Sequence, residues 1–152
     1  AERQAARQGE STATEKSEKK SPPTPAEEIL QRIIEPYAGN LLYLDFWGMN
    51  CGPCRRSMIA QREIVEQLSG EPVRFLYICE EKTSPRKLAE QWMKEQSIKG
   101  EHIYLTVDEW NRLAQMFEIS GIPHAVLVGR DGKVITNGFH LSSADDLRKH
   151  LK

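Results

Sequence analysis

The feature that most constrains this chain is an apolar run that ends just before a pair of cysteines. Residues 41–47 read LLYLDFW, with Asp45 as the one charged residue. A short, nearly continuous apolar run is typical of a strand buried on both faces of a sheet. Residues 48–54 then read GMNCGPC, and Pro53 is suited to the first turn of a helix. The sequence therefore predicts that both cysteines lie at a strand-to-helix junction.

Apolar periodicity predicts that strands and helices alternate along the rest of the chain. The predicted segments are a helix at 25–37, a strand at 41–47, a helix from 53 to 70, a strand at 73–79, a helix at 84–96 with Leu88, Trp92 and Met93 inward, a strand at 103–107, a helix at 108–117, strands at 124–128 and 134–136, and a last helix capped by Ser142 or Ser143. An Asp-Gly turn joins the last two strands into a hairpin. This order predicts an α/β fold with a mixed sheet covered by helices on both faces.

The first 25 residues differ in composition from the rest of the chain. Residues 1–25 are rich in Gln, Glu, Lys, Ser, Thr and Pro, a composition that cannot repay the entropy of ordering. We expect a disordered tail or linker at 1–25 and a single domain at 26–152, opened by a capping box of Thr24 and Glu27.

Composition excludes some classes of partner. The formal net charge is −1, so no basic field favours nucleic acid. No apolar run approaches the roughly 20 residues that span a bilayer. The chain does not begin with Met, and we expect an export signal, a membrane tether or an additional domain upstream of it.

The chemistry of the chain is expected at Cys51 and Cys54. A thiol attacks as its thiolate, and the first turn of a helix lowers its pKa through unpaired N–H groups and the helix dipole. Cys54, one turn further on, is close enough for a disulfide with Cys51. We interpret Cys51 as the attacking thiol and Cys54 as the resolving thiol, and Cys79 as a buried core thiol. We expect no metal, because a structural zinc site needs four ligands.

Two motifs resemble the active-site signature and the cis-proline loop of the thioredoxin superfamily. The first, DFWGxxCGPCR, runs from Asp45 to Arg55, and the second is the GIP at 121–123. The similarity covers residues 41–152 and implies a three-layer thioredoxin-like fold. The segment at 80–107 resembles the insertion of the TlpA/ResA-like branch, which contains membrane-tethered or exported thiol-disulfide oxidoreductases.

The resemblance also implies roles for residues around the cysteines. Asp45 would be buried with a raised pKa and would exchange a proton with Cys54. Pro123 would be cis, exposing the Ile122 backbone so that a substrate segment pairs with it as an extra strand. Gly52 and Pro53 would belong to the same substrate-binding surface.

Two further candidate residues have less defined roles. Trp47 would pack beside the cysteine loop and shield it. His124 would line the substrate surface, tune the Cys51 thiolate or join the cysteines in binding Cu(I). Asn50 departs from the aromatic residue usual before the first cysteine, which bears on the partner surface and the redox potential.

The function that this pattern favours is a protein disulfide reductase working through a mixed disulfide, with no cofactor beyond the cysteine pair. Its partners would be a protein disulfide or dithiol substrate and an upstream thiol electron donor. A disulfide oxidase or isomerase, and a Cu(I)-binding or interaction module, stay open as alternatives. A peroxidase is disfavoured, because Leu44 and Gly48 stand where such enzymes carry Pro and Thr. We expect an extracytoplasmic bacterial location, with the cytoplasm as the alternative.

Overall fold

The fold is described from a computed structural model, which describes residues 21–152. Residues 1–20 of the tail predicted at 1–25 therefore lie outside the described residues. Residues 21–24 are exposed and have no regular secondary structure. The division into tail and domain stays a prediction. Within residues 21–152, no helix is both long and apolar enough to cross a membrane.

The described chain alternates helices and strands in the predicted order. The elements are α1 (Pro25–Ile34), a 3-10 turn (Glu35–Tyr37), β1 (Leu41–Phe46), α2 (Gly52–Ala60), α3 (Arg62–Gln67), β2 (Val73–Glu80), α4 (Arg86–Glu95), β3 (Glu101–Leu105), α5 (Val107–Met116), β4 (His124–Val128), β5 (Val134–Asn137) and α6 (Asp145–Arg148). The predicted capping box opens α1, where Thr24 and Glu27 satisfy each other's backbone N–H.

The strands form one five-stranded mixed sheet in the order β3-β2-β1-β4-β5. β1 pairs in parallel with β2, and β2 pairs in parallel with β3. β4 runs antiparallel to β1 and forms the predicted hairpin with β5. The predicted insertion therefore supplies α4 and an edge strand of the sheet, β3.

The two faces of the sheet bury different sets of side chains. We call the side that bears Leu42, Leu44 and Phe46 the apolar face; it packs against α1 and α5. The opposite side, which bears Leu41, Tyr43, Asp45 and Trp47, is the cysteine face; α2, α4 and α6 cover it. Because successive side chains of a strand point to opposite faces, the run in β1 is buried on both sides. The predicted three-layer α/β/α arrangement is confirmed.

Several details of the helices differ from the prediction. The helix predicted from 53 to 70 is two helices, α2 and α3, which meet at Gln61 with backbone angles outside the helical range. Leu88 was predicted to face inward and is 54% exposed, whereas its neighbour Ala89 is fully buried. α4 begins at Arg86, and its buried residues are Ala89, Trp92 and Met93, so Leu88 lies beside the buried stripe.

Two predicted boundaries are wrong for reasons of capping. Val107 was predicted in a strand, but it opens α5 because Thr106 and Glu109 form a capping box. Ser142 and Ser143 do not cap the last helix with their side chains; their backbone N–H groups instead donate to the Asp146 carboxylate.

The connection between α4 and β3 passes close to β2. Gly100 has a φ of +146°, and a Cβ there would lie 2.6 Å from the Tyr77 ring and 2.7 Å from the Phe75 carbonyl oxygen. Both the backbone conformation and the space require glycine at this position.

Candidate active site

The cysteine pair lies where β1 ends and α2 begins. Cys51 is the N-cap of α2, its Sγ accepts the Cys54 N–H at 3.1 Å, and the two cysteines form a disulfide with their Cα atoms 5.3 Å apart. Cys54 is fully buried, whereas Cys51 is half-buried. The predicted junction is confirmed, and Cys51 is the more accessible sulfur.

The loop before β4 lies directly opposite Cys51. The Ile122–Pro123 peptide bond is cis, as predicted. The Ile122 carbonyl oxygen lies 3.7 Å from Cys51 Sγ, and Gly121 and Pro123 are exposed. A backbone carbonyl thus borders the accessible sulfur on an open surface.

Asp45 is buried beneath this surface, on the cysteine face of β1. It is 3% exposed and has no hydrogen-bond partner among residues 21–152. Burial raises the pKa of its carboxyl from 3.8 to about 7, because a charged carboxylate loses its hydration. The predicted burial and pKa direction are confirmed.

A cavity of about 210 Å³ connects Asp45 with the exposed Pro123. Residues of β1, of α2 and the position after it, of β4 and of the segment after β5 complete its lining: Tyr43, Ser57, Gln61, His124, Ala125, Phe139, His140 and Leu141. The cavity is large enough for water molecules. The buried carboxyl therefore borders a space that can hold water.

Trp47 packs behind the cysteine loop rather than over it. Its ring is 1% exposed and stacks on Trp92 of α4 with centroids 5.7 Å apart. The Arg55 guanidinium lies over the other ring of this pair, 5.0 Å from the Trp92 centroid. Trp47 belongs to the same buried cluster as Cys54. Its shielding role stays a prediction.

His124 begins β4, and its ring lies toward the apolar face, 6.3 Å from the Phe46 centroid. Its Nε2 is 2.7 Å from Asn137 Oδ1, and Asn137 Nδ2 donates to the Phe117 carbonyl. That second bond turns the Asn137 oxygen toward His124, so Nε2 donates the proton. In the described part of the chain, no three His, Cys, Asp or Glu side chains converge to hold a metal ion. Cys51, Cys54 and His124 therefore do not form the copper-ligand set considered from the sequence.

Cys79 is separate from this chemistry. The side chain is a free thiol, 1% exposed, on β2, and burial raises its pKa to about 12. The interpretation as a core thiol is confirmed.

The sequence did not single out Ser84 as part of the site. Ser84 follows β2, is 1% exposed, and its Oγ accepts the Met49 N–H at 2.9 Å, two residues before Cys51. One general signal could have pointed to it. The carboxyl ends of neighbouring parallel strands meet at one edge of a sheet, so the loop after β2 was bound to lie near the loop after β1.

A mixed sheet, a Cys-Gly-Pro-Cys disulfide at the first turn of a helix and a cis-proline opposite it define a thioredoxin-like α/β protein. The chain belongs to the Redoxin family, whose model matches residues 23–148. This membership confirms the resemblance seen in the two sequence motifs.

Known relatives carry names that agree with this family. The thiol-disulfide oxidoreductase ResA of Geobacillus thermodenitrificans is 25% identical over 121 residues, and that of Geobacillus kaustophilus is 23% identical. Each match covers 78% of this chain and 66% of the relative. The chain thus spans slightly less than two thirds of the length of these relatives.

Similar solved structures share the fold. A thiol:disulfide interchange protein of Chlorobium tepidum superposes with a TM-score of 0.66 at 18% identity, covering 78% of this chain and 85% of that chain. The thioredoxin domain of a thiol-disulfide oxidoreductase of Bacteroides vulgatus has a TM-score of 0.64 at 18% identity, covering 78% and 81%.

Proposed function

We propose that this chain is a protein thiol-disulfide oxidoreductase that acts as a reductase through Cys51 and Cys54. The observation that carries the exchange chemistry is the asymmetry of the pair: Cys51 is half-buried at a helix N-terminus, and Cys54 is fully buried. An incoming protein reaches Cys51 more readily than Cys54, which supports attack by Cys51 and resolution by Cys54.

The reaction is two successive thiol-disulfide exchanges. The Cys51 thiolate attacks one sulfur of the substrate disulfide, and the other substrate sulfur leaves as a thiolate. Cys54 loses its proton and attacks Cys51 Sγ, which releases the second substrate thiolate and forms the Cys51–Cys54 disulfide. Two electrons pass to the substrate, and an upstream dithiol donor then reduces the pair again.

The first step needs a thiolate at Cys51. The Cys54 N–H, 3.1 Å from Cys51 Sγ, and the N-terminus of α2 stabilise negative charge on that sulfur. Pro53 stands between them in the first turn and is exposed together with Gly52. These two residues form the rim that a substrate meets beside Cys51.

The second step needs a group that takes the proton of the buried Cys54. Asp45 lies on the face of the sheet that Cys54 packs against, and its pKa of about 7 lets it accept and return protons near neutral pH. We propose that it takes up the Cys54 proton, directly or through water.

The substrate segment is proposed to lie along the Ile122 backbone. The Ile122 carbonyl is beside Cys51 Sγ and the neighbouring residues are exposed, so an extended segment can pair there as an added strand. Trp47 is buried and His124 is bonded to Asn137. We expect both to hold the loops from behind.

The location is proposed to be extracytoplasmic in a bacterium. The support is the family and the insertion that resembles the TlpA/ResA-like branch. Labelling of intact cells with a thiol reagent that does not cross membranes tests it: Cys51 modified after mild reduction supports the proposal, and protection until lysis supports the cytoplasm.

The direction of electron flow is tested by the equilibrium redox potential of the pair, with Cys79→Ala so that two thiols titrate. The Gly-Pro dipeptide between the cysteines favours a reducing pair, and we expect a potential near or below about −250 mV. A value above about −180 mV would assign the protein to the oxidases or isomerases. In parallel, Cys54→Ser is expected to accumulate the mixed disulfide with substrate, and Cys51→Ser to form none. Failure of the wild-type pair to form a disulfide would remove the mechanism.

A further inference from the structure

Residues 48–51, which end at the first cysteine, form a turn that hydrogen bonds hold at several points. The Cys51 N–H donates to the Gly48 carbonyl at 3.1 Å and closes the turn. Inside it, the Met49 N–H donates to Ser84 Oγ at 2.9 Å, and the Met49 carbonyl accepts from Arg55 Nη1 at 3.3 Å. The Met49 residue is therefore held from both sides by side chains of other segments.

The turn also lies between two loops. A Cβ on Gly48 would lie 3.6 Å from Ser84 Oγ and 3.5 Å from Ile122 Cδ1. The loop after β2 thus lies on one side of the turn, and the loop before β4 lies on the other. Ser84 therefore both borders the turn and accepts its Met49 N–H.

Ser84 is itself fixed within its loop. Its N–H donates to the Glu80 carbonyl at 2.9 Å, and the Glu80 carboxylate accepts bonds from the backbone of Lys82 and Thr83. The Ser84 side chain is 1% exposed. A buried hydroxyl is retained only where it is hydrogen-bonded, and its partner here is Met49.

The side chain that holds the Met49 carbonyl, Arg55, is itself in contact with the insertion. Arg55, which binds the Met49 carbonyl, rests on the Trp92 ring of α4 at 5.0 Å. The insertion therefore reaches the turn directly through Ser84 and indirectly through Trp92.

We infer that Ser84 is a positioning residue for thiol-disulfide exchange: by holding the Met49 N–H, it keeps Cys51 Sγ where it accepts the Cys54 N–H. The inference rests on the proposed function, because it concerns how the attacking thiolate is stabilised. If the turn loosens, the thiolate loses part of that hydrogen bond, its pKa rises, and less of it is present at neutral pH.

The experiment measures the rate at which iodoacetamide alkylates Cys51 in the reduced protein as a function of pH. Ser84→Ala removes the acceptor, and we expect alkylation at pH 7 to slow about fivefold, with the pH midpoint shifted upward. Ser84→Thr keeps a hydroxyl and is expected to retain the wild-type profile, whereas Ser84→Val, of nearly the same shape as Thr, is expected to follow Ala.

Thr83→Ala is the control for general loosening of the loop, because the Thr83 hydroxyl bonds Glu80 and not the turn. A shift in Thr83→Ala as large as in Ser84→Ala would overturn the inference, and so would equal profiles for the Thr and Val variants. Amide hydrogen exchange of Met49 in the wild-type protein needs no variant to fold. Protection of that N–H is expected, and free exchange in the folded protein would contradict the inference.

These readouts use no protein substrate. A chain that fails to reduce protein disulfides while Ser84→Ala still shifts the alkylation profile would defeat the proposed function and leave the role of Ser84 standing. A chain that reduces protein disulfides normally, with no shift of the alkylation profile in Ser84→Ala, would support the proposed function and overturn the role of Ser84.

Discussion

The side chains on the two faces of β1 are equally well buried, but they differ in their chemistry. On the apolar face, Leu42, Leu44 and Phe46 contribute hydrocarbon alone and are at most 2% exposed. On the cysteine face, Tyr43 and Asp45 are 4% and 3% exposed, and each carries a polar group into the interior. Because alternate residues of one strand face opposite ways, a single six-residue strand supplies apolar packing on one side and two buried ionisable groups on the other.

Burial of polar groups on the cysteine face has a cost that the apolar face must offset. Burial, together with the nearby charge of Asp45, raises the pKa values of both Tyr43 and Tyr77. Desolvation alone raises that of Asp45. The comparison between faces therefore predicts that substitutions on the cysteine face change pH dependence, and that those on the apolar face change stability alone.

The largest effect is expected from Asp45→Asn. The folded pKa of Asp45, about 7, lies above its unfolded value, so its contribution to stability is fully present below about pH 4 and is lost as pH rises through 7. Wild-type protein should lose on the order of 4 kcal/mol of unfolding free energy over this window from this group. Urea unfolding from pH 4 to pH 8 should show that loss in wild type and not in the variant.

The same variant should resolve mixed disulfides more slowly, since Asn takes up no proton at neutral pH. Asp108→Asn, which alters an exposed carboxylate, serves as the control and should keep the wild-type slope. If the unfolding free energy of Asp45→Asn changed with pH as steeply as that of the wild type, the distinction between the two faces would be wrong.

Leu44→Ala tests the apolar face. Leu44 is fully buried, and truncation of such a leucine costs about 3 kcal/mol through lost burial and the cavity left behind. Urea unfolding should report this loss at every pH, with exchange activity per folded molecule unchanged. Leu88→Ala, at a 54% exposed position, should stay within about 0.5 kcal/mol of wild type. A changed pH slope in Leu44→Ala would show that the faces are not independent.

Cys79→Ala sharpens the comparison within the cysteine face, because it removes a thiol that has no proposed chemistry. We expect a loss of about 1 kcal/mol and an unchanged redox potential. Since the pKa of Cys79 is about 12, its thiol stays protonated, and iodoacetamide at pH 8 should modify it in urea but not in the native protein. Native modification at the unfolded rate would contradict its assignment as core.

Local sequence was enough to predict the parts of the fold that local rules govern. The run in β1, the proline in the first turn of α2, the Thr24 capping box and the hairpin each depend on residues near one another in the chain. At the end of β3 two local signals compete, and the helix cap prevails over β propensity. Val107 is β-branched and suits a strand, but Thr106 and Glu109 beside it cap a helix.

The site was predictable as far as its motifs extend. Cys51, Cys54, Asp45 and Pro123 belong to motifs, and the structure places them together. The contacts of Ser84 with Met49 and of Arg55 with Trp92 join segments about 35 residues apart in sequence, and no periodicity or spacing encodes such pairs. The side of the sheet on which His124 lies likewise depends on the pairing of β4 with β1, in which His124 is opposite Phe46.

The glycine between α4 and β3 sets a limit on how the insertion can be redesigned. A side chain at position 100 would enter the space of the Tyr77 ring and the Phe75 carbonyl, and both belong to β2, which cannot yield without disturbing its ladders. A library that randomises the connection should therefore recover glycine at position 100, whereas the exposed neighbour Lys99 should vary freely. Any graft of this insertion onto another sheet must carry that single residue with it.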